Sequence, residues 1–209
     1  MKYIQFYQRD SLLCTSGLLL SGSSRKSEEL LDEISWKGDG NGFLQLRTSD
    51  ERLCESSAWL AFNETLESSL SSVTIETRQV AGSHYSGFGP TFCYQDSNNF
   101  YCCLICATGQ FSVHKCIAGI WGTIIPWTAT PSSNLKAGND AVNTIAVIAK
   151  GEHHFQVLFN GTLETTFEDE ALAGGKCGFF ASIGDQSKES FPEIPEDIRF
   201  RLEKPVRVP

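Results

Sequence analysis

Almost no part of this chain carries a helical period. From Trp36 onward, short stretches of alternating apolar and polar residues recur, separated by glycine, asparagine, aspartate and serine. That pattern restricts the chain to strands joined by tight turns, because strand side chains alternate in twos whereas a helical face repeats every 3.6 residues. The strand segments fall at residues 43–46, 58–62, 72–80, 87–94, 100–106, 110–115, 119–125, 144–150, 153–159, 163–167, 177–183 and 197–202. About a dozen strands without helices between them predict an all-β fold, either a sandwich or a barrel. The exception is residues 27–33, Ser-Glu-Glu-Leu-Leu-Asp-Glu, which predict one short helix from a serine cap and acids in the first turn. Residues 1–26 read as an N-terminal extension and serine-rich linker. They form either a hairpin of their own or a layer against the main domain, residues 27–209.

Two hairpins have legible registers. Gln95 to Phe100 holds a polar turn, and pairing 95 with 100 sets Cys93 opposite Cys102. Ala107-Thr108-Gly109 fits a three-residue turn ending in a left-handed glycine. It places Cys106 opposite Gln110 and Cys102 opposite His114. Phe92, Tyr101, Cys103, Ile105, Phe111 and Val113 then share one apolar face, predicted as core. Cys93, Cys102, Leu104, Ser112 and His114 share the other, and a one-residue slip would exchange the faces.

The 209 residues carry a formal charge of −8, which disfavours nucleic acid as the main partner, since phosphate binding needs a surplus of lysine and arginine. No apolar run approaches the ~20 residues of a membrane helix, so no membrane insertion is expected. The N-terminus lacks a signal-peptide pattern, and a cytoplasmic location is the expectation. Eight cysteines are many for such a location, and free cysteine packs as a small hydrophobe. A lone CxxC at Cys103 and Cys106 is not a zinc knuckle.

The series from Gly87 to Val113, then Trp121 and Trp127, the strand opened by Asn143, the Asn160-Gly161 turn, and Gly175 to Ala181 with its Gly178-Phe179-Phe180 resembles a known fold family. It is similar to the concanavalin A-like, laminin-G-like jelly rolls. The nearest likeness is to a bacterial branch of 3-keto-disaccharide hydrolases and domains of unknown function. The resemblance runs from about Trp36 to Leu202 and implies a two-sheet antiparallel jelly-roll sandwich whose concave sheet faces a ligand. Cys93 stands where that branch shows arginine, and Cys102 where a polar or basic residue is common, which removes a grip on polar groups.

The candidate ligand-binding residues are His84, Tyr85, Cys93, Cys102, His114, Trp121 and Trp127. Tryptophan offers an apolar plane to the C–H face of a sugar, and histidine and tyrosine offer fixed hydrogen bonds to hydroxyls. Cys93, Cys102 and His114 in one row would hold Zn²⁺ given a fourth ligand, or the two thiols would join as a disulfide. Asp96 and Asn98 are weak Ca²⁺ candidates, though a polar hairpin tip needs no metal. No cofactor is otherwise expected. No Glu-x-Asp motif places the two carboxylates that glucanases of this fold use. The run from Phe167 to Glu170 reads as a solvated strand end, and Asn160-Gly161-Thr162 as a hairpin turn rather than a glycosylation site. The leading expectation is a non-catalytic, lectin-like domain binding a saccharide. The alternatives are a glycoside hydrolase for a modified disaccharide, or an interaction module that pairs with itself or a partner protein through an edge strand.

Overall fold

The computed structural model describes residues 4–7, 34–38, 44–48, 58–63, 72–151, 153–182 and 196–202, and every regular element among them is a strand. In order these are β1 (Ile4–Tyr7), β2 (Ile34–Gly38), β3 (Leu44–Thr48), β4 (Ala58–Asn63), β5 (Ser72–Ala81), β6 (Gly87–Asp96) and β7 (Asn99–Ile105). They continue as β8 (Phe111–Ile117), β9 (Ile120–Ile125), β10 (Asn143–Ala149), β11 (His154–Phe159), β12 (Thr162–Glu168), β13 (Lys176–Ser182) and β14 (Asp197–Leu202). Two antiparallel seven-stranded sheets stack as a jelly-roll sandwich, ordered β1-β4-β13-β6-β7-β8-β9 and β12-β11-β10-β5-β14-β3-β2. β13 and β14, the last strands in sequence, sit inside the sheets, between β4 and β6 and between β5 and β3. The expected short helix at 27–33 lies outside the described residues. β1 lies along β4 at the edge of the first sheet.

The core is the space between the sheets. Phe92 of β6 packs against Tyr101, Phe155 and Phe167, while Phe88 and Phe179 meet Phe200 from the opposite sheet. The six residues assigned to the core face by register are all buried in this one cluster.

The second hairpin has the expected register. Cys106 N–H bonds Gln110 O, Gly109 N–H bonds Cys106 O, Gly109 has φ +82°, and Cys102 stands opposite His114. The first hairpin differs. Phe92 pairs with Tyr101 and Asp96 with Asn99, so β6 bulges between them, and Thr91 rather than Cys93 faces Cys102. The bulge turns Cys93, at φ +49°, into the core beside Cys177. A bulge adds residues to one strand only, and turn chemistry alone does not reveal it.

Two polar clasps, one buried and one half-buried, close the ends of the sandwich. Glu196, 1% exposed, accepts bonds from Ser86 Oγ (2.6 Å), Ser83 N (2.8 Å) and Gln79 Nε2 (2.9 Å), pinning the β5–β6 connection to the entry of β14. Gly82 lies so close that a Cβ there would fall 2.0 Å from Glu196 Oε2. At the other end Asp169 accepts from Tyr101 Oη (2.7 Å), from Lys115 Nζ and from Ala171 N, while Leu172 N donates to Tyr101 Oη. Asp169 is therefore not a solvated strand end; it fastens the β12–β13 connection to β7 and β8. Asn160 (φ +50°) and Gly161 (φ +82°) form the expected turn, with the Asn160 amide bound to Asn134 O and Asn143 Oδ1.

Replacing Glu196 by alanine removes the acceptor of Ser83 N–H and of Ser86 Oγ in the interior and leaves the Gln79 amide only its bond to Ser83 O. Urea denaturation of Glu196→Ala is expected to show a loss of about 2–4 kcal/mol, the scale for buried groups deprived of a charged partner. Gly82→Ala should lose stability at the same clasp.

Candidate functional site

The outer face of the first sheet is formed by alternate residues of β13, β6, β7, β8 and β9. One cross-strand row reads Gly178, Thr91, Cys102, His114, Thr123, and the next reads Phe180, Gly89, Leu104, Ser112. Small residues thus pave much of the middle strands, with Gly89 and Thr91 on β6, Cys102 on β7 and Ser112 on β8. A side chain at Gly89 would meet Cys103 O at 2.0 Å, so the backbones here tolerate no Cβ.

The rings lie down over this small-residue floor. Trp121 of β9 and Phe180 of β13 have centroids only 5.5 Å apart, although three strands separate them in the sheet. On a flat sheet their backbones would be about 19 Å apart at the usual strand spacing. The sheet is therefore concave, with its flanks drawn together. Phe100 completes the triad at 5.6 Å from Trp121 and 5.9 Å from Phe180, and Tyr94 lies 6.1 Å from Phe100. Edge-to-face and tilted contacts of this kind add to area burial. Phe100, Cys102, Leu104, Cys116 and Phe180 consequently form a second apolar cluster with Tyr94, capped by Trp121.

Three of the candidates occupy one end of this face. His114 is partly buried, with its ring 6.2 Å from Trp121 and 6.4 Å from Trp127. Its Nε2 is 2.9 Å from Ser112 Oγ and its Nδ1 is 3.3 Å from Thr123 Oγ1. Burial pushes the imidazole below its ordinary value, so it is neutral near pH 7. Trp127 is 41% exposed. Its ring lies over Gly87, where an added Cβ would meet it at 3.1 Å. Thr128 fixes it: Thr128 N–H bonds Phe111 O, and Gln110 Nε2 donates to Thr128 O.

The other candidates separate. His84 and Tyr85 are exposed on the β5–β6 connection two or three residues before Gly87, and Tyr85 N–H bonds Ser83 Oγ. Cys102 is on the expected face but fully covered by the ring layer. Cys93 is on the opposite face, so the row of two thiols and one imidazole does not exist. Among the described residues no three histidine, cysteine or acidic side chains gather as a metal site. Asp96 Oδ1 accepts from Asn98 N and Asn99 Nδ2, its Oδ2 accepts again from Asn99 Nδ2, and Asn99 Oδ1 takes Ala118 N–H. The hairpin tip is thereby bound to the β8–β9 turn.

Ser112 and His114 resemble half of a nucleophilic pair, but Ser112 is fully buried. The second ring nitrogen meets a threonine hydroxyl rather than a carboxylate, so nothing stabilises an imidazolium. Sequence reading missed Thr123 and Ser112 as partners of His114. The face shared by Ser112 and His114 was legible from alternation; Thr123 comes beside His114 through the two-residue Ala118-Gly119 turn, which pairs Ile117 with Ile120.

No protein-family model matches the chain, and no curated protein does. Among solved structures it is similar to the carbohydrate-binding module CBM66 from Bacillus subtilis, with TM-score 0.54, 17% identity, and coverage of 81% of this chain and 89% of that one. It is also similar to BuGH16Bwt, with TM-score 0.50, 9% identity, and coverage of 83% and 79%. At these identities the likeness establishes the shared sandwich fold.

The two titratable groups set two acid windows. His114 has an ordinary value of 6.5, lowered by burial in the folded chain. The unfolded chain binds that proton more readily, so this part of the stability is complete above about 6.5 and declines as pH falls from there. Asp169 has an ordinary value of 3.8; burial alone would raise it, but hydrogen bonds from Lys115, Tyr101 and Ala171 outweigh burial and lower it. Its contribution is complete above that value and is lost as pH falls through the lower folded one. Melting curves from pH 8 to 2 are expected to lose the upper window in His114→Asn and to shrink the lower one in Lys115→Met.

Proposed function

We propose that this domain binds a saccharide without chemically altering it, at the end of the concave face marked by Trp127 and His114. The observation that carries the reading is the exposed Trp127 ring, anchored through Thr128 and adjacent to a neutral imidazole held by two hydroxyls. A sugar needs that combination of an apolar plane and fixed uncharged polar partners. The fold shared with a carbohydrate-binding module supports saccharide as the ligand class. The deeper floor of the face is occupied by the protein's own aromatic layer, so the ligand is placed at the Trp127 end, with Thr123 within its reach. His84 and Tyr85 are assigned to the rim of the same end through their short link to Gly87.

The hydrolase reading carried by the family resemblance has less support. Glycoside hydrolysis takes two carboxyl groups about 5–9.5 Å apart. The rows named above on β6, β7, β8, β9 and β13 contain none.

A thermal-shift screen of the full chain against neutral mono- and oligosaccharides tests the proposal. A saccharide at 100 times its Kd should stabilise the chain by about 2.7 kcal/mol. Trp127→Ala is expected to weaken that binding at least about tenfold, equivalent to ~1.4 kcal/mol. Trp121→Ala should instead lower the melting temperature without ligand, because it uncaps the second cluster. An unchanged response in Trp127→Ala would remove the site, and silence to every sugar at millimolar sensitivity would remove the function.

A second reading has one specific observation in its favour. β9 is an edge strand without a charged residue, and Ile120 at its start is 73% exposed. Uncharged edges are templates for pairing. If a second copy pairs there, sedimentation should show a concentration-dependent dimer that Ile120→Lys abolishes; a monomer at all concentrations would exclude self-pairing.

A further inference from the structure

We propose that Cys93 and Cys177 are a paired redox site whose two thiols close into a disulfide staple between β6 and β13. The register places them together. Lys176 pairs with Tyr94 and Gly178 with Thr91, so one residue of β13, Cys177, faces two residues of β6, Phe92 and Cys93. Both thiols point into the same side of the sheet and belong to the same buried cluster. Directly facing residues in an antiparallel pair have Cα atoms about 4.5–5.5 Å apart, within the 4.4–6.8 Å range that a disulfide spans.

Two further observations single out this pair. Cys93 adopts φ +49°, a left-handed conformation that a side-chain-bearing residue rarely takes, and such outliers gather at functional positions. Cys93 is also the most accessible of the described cysteines, at 8%, whereas Cys102, Cys103 and Cys116 are at 0%. Gly174 and Gly175 (φ +65° and +137°) lie directly over it. A Cβ on Gly175 would fall 2.6 Å from the Cys93 carbonyl carbon, and the Cys93 thiol is hydrogen-bonded at the Gly174 backbone. This double-glycine segment packs directly on the Cys93–Tyr94 backbone.

The chemistry needs a disulfide oxidant such as oxidised glutathione. The Cys93 thiolate attacks one sulfur of the oxidant and releases one reduced thiol. The Cys177 thiolate then attacks the Cys93 sulfur of the mixed disulfide and releases the second. Two protein thiols are oxidised and one disulfide is reduced to two thiols, which take up the two protons that the protein thiols give up. Burial raises Cys93 to about 11 and Cys177 to about 12, so the thiolate fraction at neutral pH is small. Closure is therefore slow near pH 7, and its rate rises about tenfold per pH unit up to 9, since thiolate is the nucleophile.

The test is peptide mapping of the full chain after incubation with oxidised glutathione, followed by alkylation under denaturing, non-reducing conditions. The expected product joins the peptides containing Cys93 and Cys177, forms faster at pH 9 than at pH 7, and raises the melting temperature by several degrees over the reduced protein. Cys93→Ser should abolish both the cross-linked peptide and the oxidant-dependent rise. Cys177→Ser should accumulate glutathione on Cys93. Recovery of both cysteines alkylated after prolonged oxidation at pH 9, or a cross-link between other cysteines in place of this one, would overturn the proposal.

Discussion

Strand β7 is buried on both faces, and everything on the concave side depends on which face each of its residues takes. Phe100, Cys102 and Leu104 point outward and Tyr101, Cys103 and Ile105 point inward, and all six are at most 3% exposed. Apolar alternation cannot settle a strand like this, because a one-residue slip would bury an equally apolar set. The Gly109 turn settles it. The left-handed glycine fixes a three-residue connection, and that count fixes the pairing of Cys102 with His114. From this one register follow the core contact of Tyr101 with Phe92 and Phe155, the Tyr101–Asp169 clasp, and the position of His114 beside Trp127.

The aromatic layer shows how size, rather than polarity, shapes the concave face. Phe180 reaches Phe100 because Gly89 and Thr91 on the intervening strand leave room, and Trp121 passes over Cys116 for the same reason. The layer covers even hydroxyls: the Thr91 side chain is fully buried and its Oγ1 has no hydrogen-bond partner. A buried hydroxyl left unpaired costs about 1–3 kcal/mol. The packing gained by the rings outweighs that cost, which places the emphasis of the face on self-association of its rings, with its Trp127 end turned to solvent.

Strands, their order of appearance and the main core were legible in the sequence because they rest on local rules: alternation, turn residues and loop length. All twelve expected strand segments have counterparts, while Ile34–Gly38, which carries Trp36, was not foreseen as a strand. The clasps were not legible. Glu196 lies in the acidic, proline-containing run Glu193-Ile194-Pro195-Glu196-Asp197, whose composition carries no sign of burial, and only the fold brings Gln79, Ser83 and Ser86 around it. Cys93 was misplaced because a bulge is a choice made by two strands together. The site was half legible: His114, Trp121 and Trp127 converge, whereas Cys102 shares their face without reaching its surface.

The central positions of β13 and β14 carry a cost in time rather than in stability. Until both have been synthesised, the first sheet is split between β4 and β6 and the second between β5 and β3, which leaves four strand edges unsatisfied on a nascent chain. Such edges invite pairing with other chains, and contacts so distant in sequence close slowly. The architecture therefore makes the yield of folded protein sensitive to what shields those edges in the interval.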